Sequence, residues 1–168
     1  VCSAVHPMAL ASPFFREFEL SRRIRLAVPE VSYGTPLDGG RAALAYRSLE
    51  RTVAGLGRDG RAFGRLMAPL VQRAEGITDL TLTQLLRVPH DPVAAALFGA
   101  RVLEQGTPLW GLRFREELAP ALLTGVAAHA VAHLPAPAPA GAGLMLGTLA
   151  HTVGWPIPAG GSAAIAQA

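Results

Sequence analysis

The sequence predicts an α+β domain, mostly helical, with a small β-hairpin. Three observations carry that expectation. Of 168 residues, 51% are hydrophobic and only 16% are charged, which is too apolar for a disordered chain. Aromatics are sparse at 6%, and alanine supplies much of the apolar count, so the core is expected from helices that approach closely. Beyond Ser48, apolar residues recur at helical spacing between Gly and Pro stops, whereas residues 24–46 are rich in strand formers around a glycine-rich turn.

Taken in order, residues 6–15 hold Pro7 and Pro13 and show no period, so they read as a loop or short turn that packs Phe14 and Phe15. Residues 24–33 read as one or two short strands, with Pro29 pushing its strand to an edge. Residues 34–40 form a turn, and 42–46 the returning strand. Ser48 caps a first helix through Leu49, Val53 and Leu56 to Gly57. Asp59 caps a second through Phe63, Leu66, Met67, Leu70 and Val71, stopping at Gly76. Thr78 or Asp79 opens a third through Leu85 and Leu86 to Pro89. Asp91-Pro92 starts a fourth that reaches Gly106, and a fifth spans about Glu116 to Ala132. Residues 136–140 read as a linker, 141–153 as a small-residue helix, 154–158 as extended chain, and Ser162 as the cap of a last helix. Leu66, Leu70, Leu85, Leu97, Leu122 and Val126 are expected to be buried.

Composition also removes function classes. The formal charge is +3, every basic residue is Arg, and these scatter from Arg16 to Arg115 rather than forming a tract, so nucleic-acid binding is not expected. The single Cys2 excludes a disulfide framework and a cysteine-rich metal site. His129 and His133 have helical i, i+4 spacing, but Ala130 stands where a zincin carries Glu, and no acidic residue follows Glu117, so no metal is expected. Cys2 beside His6 and the turn Gly160-Gly161-Ser162 are weak nucleophile signals, and Ser162 is better explained as a helix cap. No Gly-x-Gly-x-x-Gly follows a strand, since Gly55-Leu56-Gly57 and Gly141-Ala142-Gly143 fall at a helix end and a helix start, and without Lys no phosphate loop of the Gly-Lys-Ser/Thr type is available. The apolar stretch from Leu118 to Leu134 is broken by Pro120, Gly125, His129 and His133, so it is not read as a membrane span. No export signal is visible, and a cytoplasmic location, with contact to a membrane surface allowed, is expected.

Several motifs in order carry a resemblance. They are Val5-His6-Pro7-Met8 with Ser12-Pro13-Phe14-Phe15, Pro36-Leu37-Asp38-Gly39-Gly40-Arg41, and Arg47-Ser48-Leu49-Glu50-Arg51-Thr52 with Leu56-Gly57-Arg58-Asp59. Leu123-x-Gly125-x-Ala127-x-His129 and, most specifically, His151-Thr152-Val153-Gly154-Trp155-Pro156-Ile157-Pro158-Ala159-Gly160-Gly161-Ser162 complete the set. Together they resemble the phytoene-desaturase-like, amine-oxidase-type branch of FAD-dependent oxidoreductases. The similarity covers nearly the whole chain and only the middle of that family.

The resemblance implies that residues 1–168 are the substrate-binding domain of a larger two-domain flavoprotein, without its Rossmann-like FAD domain. A chain that begins at Val1 and stops within a helix just begun at Ala168 is read accordingly as a fragment. The resemblance further implies FAD as cofactor, the absent FAD domain as partner, and an apolar or amine-bearing small-molecule substrate. It puts Trp155, Pro156, Gly160 and Gly161 near the flavin and identifies no catalytic residue. Where the family often has Arg after the second proline, this chain has Ala159, which leaves a charge role there without a carrier. The rival reading is a non-enzymatic helical binding or docking module. A flavin fingerprint in the flanking reading frame would separate the two.

Overall fold

The fold is described by a computed structural model covering residues 5–83 and 88–168. Helices dominate, beside a small antiparallel strand set, as the sequence predicts. After a short helix α1 (Pro13–Glu17), opened by Pro13, and α2 (Leu20–Arg23), the chain extends into β1 (Leu26–Ala27). β2 (Val31–Leu37) and β3 (Arg41–Tyr46) make the hairpin, with Gly34 opposite Leu44 across a turn at Asp38–Gly40.

Residues 24–33 do not act as one strand of that hairpin. Pro29 has no N–H to give a ladder and lies in the break between β1 and β2. β1 instead pairs antiparallel with β4 (Ile157–Pro158), from the far end of the chain.

Among the described residues, the further α-helices before β4 are α3 (Leu49–Gly55), α4 (Gly60–Gln72), α5 (Ala74–Thr81), α6 (Pro92–Gln105), α7 (Leu118–Ala127) and α8 (Pro137–Ala150). A last short helix, α9 (Ala163–Ala166), follows β4. Two expected caps form as read. Ser48 Oγ accepts from the Arg51 N–H at 3.2 Å, and Asp91 Oδ1 accepts from the Ala94 N–H at 2.9 Å.

Other boundaries differ from the sequence reading for identifiable reasons. The break after α4 falls at Arg73, and Gly76 lies inside α5, where an added Cβ would stand 2.9 Å from Ala94 Cβ of α6. Gly76 therefore serves close packing rather than a stop. The third helix accordingly begins at Ala74 and ends at Thr81, and Leu85 and Leu86 lie outside the described residues. α7 ends at Ala127 in a 3₁₀ turn, Ala128–Ala130, short of the expected Ala132. The expected linker at 136–140 is instead the first turn of α8. Pro137 and Pro139 fit there because N–H groups of a first turn have no intrahelical partner to lose.

The core is built on Phe63, Leu66, Met67 and Leu70 of α4, Leu122 and Val126 of α7, and Leu144 and Leu149 of α8. Of the expected core positions, Leu66, Leu70, Leu122 and Val126 are fully buried, while Leu97 is half-buried at its edge. Small residues allow the close helix packing that the composition implies. An added Cβ at Gly143 of α8 would stand 3.0 Å from the Cα of Ala127 in α7.

Candidate functional site

The segment after α8 turns back across the N-terminal loop. Gly154, at φ +76°, makes the reversal, and its N–H donates to the Leu149 carbonyl at 2.9 Å. That reversal carries Trp155 inward, to 4% exposure. The indole stacks on Tyr33, with ring centroids 4.9 Å apart, and meets the His129 ring edge-on at 5.8 Å. Its Nε1–H donates to the Leu146 carbonyl at 3.2 Å. Pro156 is also buried, and its carbonyl accepts the His6 N–H at 2.9 Å.

Beyond Pro156 the chain surfaces. β4 lies against β1, and the Ala159 N–H donates to the Arg25 carbonyl at 2.9 Å. Gly160 and Gly161 follow at φ +87° and +97°, both exposed, and an added Cβ at either would meet nothing within 4 Å. The side chains of His6 and Ser162 are linked through Nε2 and Oγ at 2.9 Å. Ser162 thus spends its hydroxyl on His6, and it makes no side-chain cap to α9. Here Val5, Met8, Ala9, Phe15, Ile165 and Ala166 line a cleft of about 430 Å³.

The four flavin-facing candidates therefore separate into two pairs. Trp155 and Pro156 are buried against Tyr33, His129 and the N-terminal loop, and Gly160 and Gly161 present bare backbone outside, beside the cleft.

Two buried polar groups near the segment were not singled out by sequence reasoning. His151 caps α8 and donates its Nδ1–H to the Tyr46 carbonyl at 2.7 Å, while its Nε2 is buried with no hydrogen-bond partner. Burial holds its pKa below the ordinary histidine value. The Tyr33 hydroxyl is likewise buried without a partner, and burial pushes its pKa up. Only the motif around Trp155 hinted at His151, and nothing in the sequence pairs Tyr33 with Trp155.

The helical spacing of His129 and His133 is not realised, because α7 has ended before either. Both are exposed, and among the described residues no group of three or more His, Cys, Asp or Glu side chains is arranged to hold a metal ion. A larger cavity of about 900 Å³ lies elsewhere, with Arg16, Arg73, His90 and Asp91 among its lining. Its charges are mixed, and Arg73 and Asp91 pair with each other at 2.8 Å.

Compared with known proteins, the chain matches no family model, no curated protein and no solved structure. Among the described residues no helix is long and apolar enough to cross a membrane.

Proposed function

We propose that this chain is the substrate-binding part of an FAD-dependent oxidoreductase of the phytoene-desaturase-like kind, walling an apolar pocket beside the flavin. The observation that carries the reading is the loop Gly160-Gly161. Both residues hold a backbone conformation that favours glycine, both are open to the outside, and both follow closely in sequence on the buried Trp155-Pro156 pair.

These residues suit a flavin-facing wall and do not suit a dinucleotide cradle. A pyrophosphate site needs a strand, a glycine turn and a helix N-terminus aimed at the phosphates. The Gly-x-Gly-x-x-Gly spacing at residues 55–60 lies between α3 and α4, with no strand before it. In this reading the groups that bind the FAD phosphates lie outside the sequence given. Phe14, 65% exposed, and Met8, 40% exposed, flank the cleft as apolar surface suited to being covered by such a domain.

Bound FAD would accept a hydride from the substrate. The chain's own contribution is placement and exclusion of water. Val5, Met8, Phe15 and Ile165 give the cleft apolar walls, and the His6–Ser162 hydrogen bond ties the loop to the N-terminal segment. The proton that leaves the substrate along with the hydride needs an acceptor, and no residue of this chain is assigned that role; the lack of acidic residues after Glu117 does not argue against the reading.

Titration of FAD into this chain, and into the complete product of its reading frame, tests the proposal through flavin absorbance and fluorescence. The expected result is no micromolar binding by the chain and tight binding by the complete product. Absence of flavin binding by the complete product would remove the flavoenzyme reading. Micromolar binding by the chain alone would move the cofactor site into these residues.

A further inference from the structure

Two signals that the sequence offers separately, His6 and the turn Gly160-Gly161-Ser162, meet in the fold across 156 positions of chain. His6 Nε2 and Ser162 Oγ lie 2.9 Å apart, within the reach of a base for a nucleophile's proton. Sequence alone explains Ser162 as a helix cap, and the structure removes that explanation. A capping residue has extended backbone and turns its hydroxyl to the first N–H groups of the helix. Ser162 has helical backbone, at φ −63° and ψ −24°, and its side chain makes no cap bond to α9.

The tie that this pair makes is not needed to hold its two segments together. Backbone bonds already join them, from the His6 N–H to the Pro156 carbonyl and from the Ala159 N–H to the Arg25 carbonyl, each at 2.9 Å. Backbone bonds also hold each partner in place. The His6 carbonyl accepts the Ala9 N–H at 2.9 Å, and the Ser162 carbonyl accepts the Ile165 N–H at 3.2 Å. The side-chain contact is therefore set by a scaffold that does not depend on it.

The surroundings select a substrate class. Both side chains line the cleft of about 430 Å³, and among the described residues that line it only these two have polar side chains. Val5, Met8, Phe15 and Ile165 are among the apolar remainder, and no Asp, Glu or Arg is present to offer a charged substrate a counter-ion. Gly160 and Gly161 stand directly before the serine, exposed, and an added Cβ at either would meet nothing within 4 Å. The chain beside the hydroxyl is thus bare of side chains. A molecule with an apolar tail and one polar, electrophilic group matches this lining.

We propose that Ser162 and His6 are a nucleophile and its base, and that they hydrolyse carboxylic esters with an apolar acyl chain. With its proton on Nδ1, the His6 ring accepts the Ser162 O–H at Nε2. Oγ attacks the ester carbonyl carbon as its proton passes to Nε2, and the carbonyl π pair moves onto oxygen. Collapse of the tetrahedral adduct breaks the bond to the alkoxy oxygen, which takes the proton from Nε2 and leaves as the alcohol. Water then attacks the acyl-serine and gives its proton to Nε2, and the acid departs as Oγ regains that proton. The reaction draws on no cofactor, so the proposal stands apart from the flavin reading and survives its failure.

Treatment of the 168-residue chain with an alkyl fluorophosphonate, followed by peptide mass mapping, tests the nucleophile without any variant. A single adduct, on Ser162, is expected. Hydrolysis of p-nitrophenyl acetate, butyrate and hexanoate tests turnover and the cleft together. KM should fall about threefold for each added methylene. Ser162→Ala should bring the rate down to that of buffer, and His6→Gln, which keeps a hydrogen-bonding side chain, should lower kcat about a hundredfold. Circular dichroism melts of both variants separate loss of chemistry from loss of fold. The proposal is overturned if the fluorophosphonate leaves Ser162 unmodified, or if Ser162→Ala hydrolyses the hexanoate as fast as the parent. It is equally overturned if His6→Gln keeps the parent kcat, which would leave the pair as a structural contact.

Discussion

The Trp155 indole lies on the Tyr33 ring at a centroid distance of 4.9 Å, joining the segment after α8 to the β2–β3 hairpin. Trp155 is buried and Tyr33 half-buried, and the indole N–H is satisfied by Leu146. Replacing Trp155 by Ala removes this link between the hairpin and the segment after α8, and should lower stability by about 3–5 kcal/mol. Trp155→Phe keeps a stacked ring and loses the hydrogen bond, so it should cost about 1–2 kcal/mol. Urea midpoints with an unchanged slope check both values. Equal losses in the two variants would mean that the ring contact matters little.

His151 makes stability depend on pH in a defined window. Burial holds its folded pKa below the ordinary 6.5, against the weaker upward pull of its bond to Tyr46 and of Glu50. As pH falls below about 6.5 the unfolded chain takes up a proton that the folded chain refuses, so stability is lost at up to about 1.4 kcal/mol per pH unit. Above that range both states hold the neutral ring, and the group adds no slope. Denaturant midpoints at pH 7.5, 6.5 and 5.5 measure the loss, and His151→Gln should flatten this component. An identical slope in the variant would assign it to other groups.

Asp59 is a structural clamp rather than the helix cap that its position implies. Its carboxylate accepts the Arg115 N–H on both oxygens, at 3.0 and 2.8 Å, and the Glu116 N–H at 2.7 Å, while making no cap bond to α4. At 3% exposure it leaves two backbone donors with no other source of satisfaction when removed. Asp59→Ala should therefore cost about 2–4 kcal/mol, well above the ~1 kcal/mol of a lost cap. Hydrogen exchange should show faster opening at Arg115 and Glu116 before it shows any change in α4. Loss confined to α4 would restore the capping role.

Asp59 also shows where the sequence stops being legible. Local signals were readable: Ser48 and Asp91-Pro92 cap as their types dictate, and the fold class follows from periodicity. Partners distant in sequence were not. A carboxylate before a helical run looks the same whether it caps that run or reaches Glu116, and no period announces that Leu26 will pair with Pro158. Pro137 and Pro139 misled for the opposite reason, since two prolines in five residues match both a linker and the first turn of a helix. Around the site, the glycine pair was legible as a loop, but the inward turn of Trp155 depends on Tyr33 and was not.

Gly160 and Gly161 supply a test that separates backbone strain from side-chain crowding. Both have φ near +90°, and neither has an atom within 4 Å of an added Cβ. Any loss on substitution therefore comes from the backbone conformation, at about 1–2 kcal/mol per residue. The cost should rank by tolerance of left-handed backbone and not by size. Asn, although larger than Ala, should cost less than Ala at either position, and Val should cost most. Thermal melts of the six single variants check the ranking. Should Ala cost less than Asn at both sites, volume rather than φ would be the constraint, and the loop would have to be closed over by a surface outside these residues.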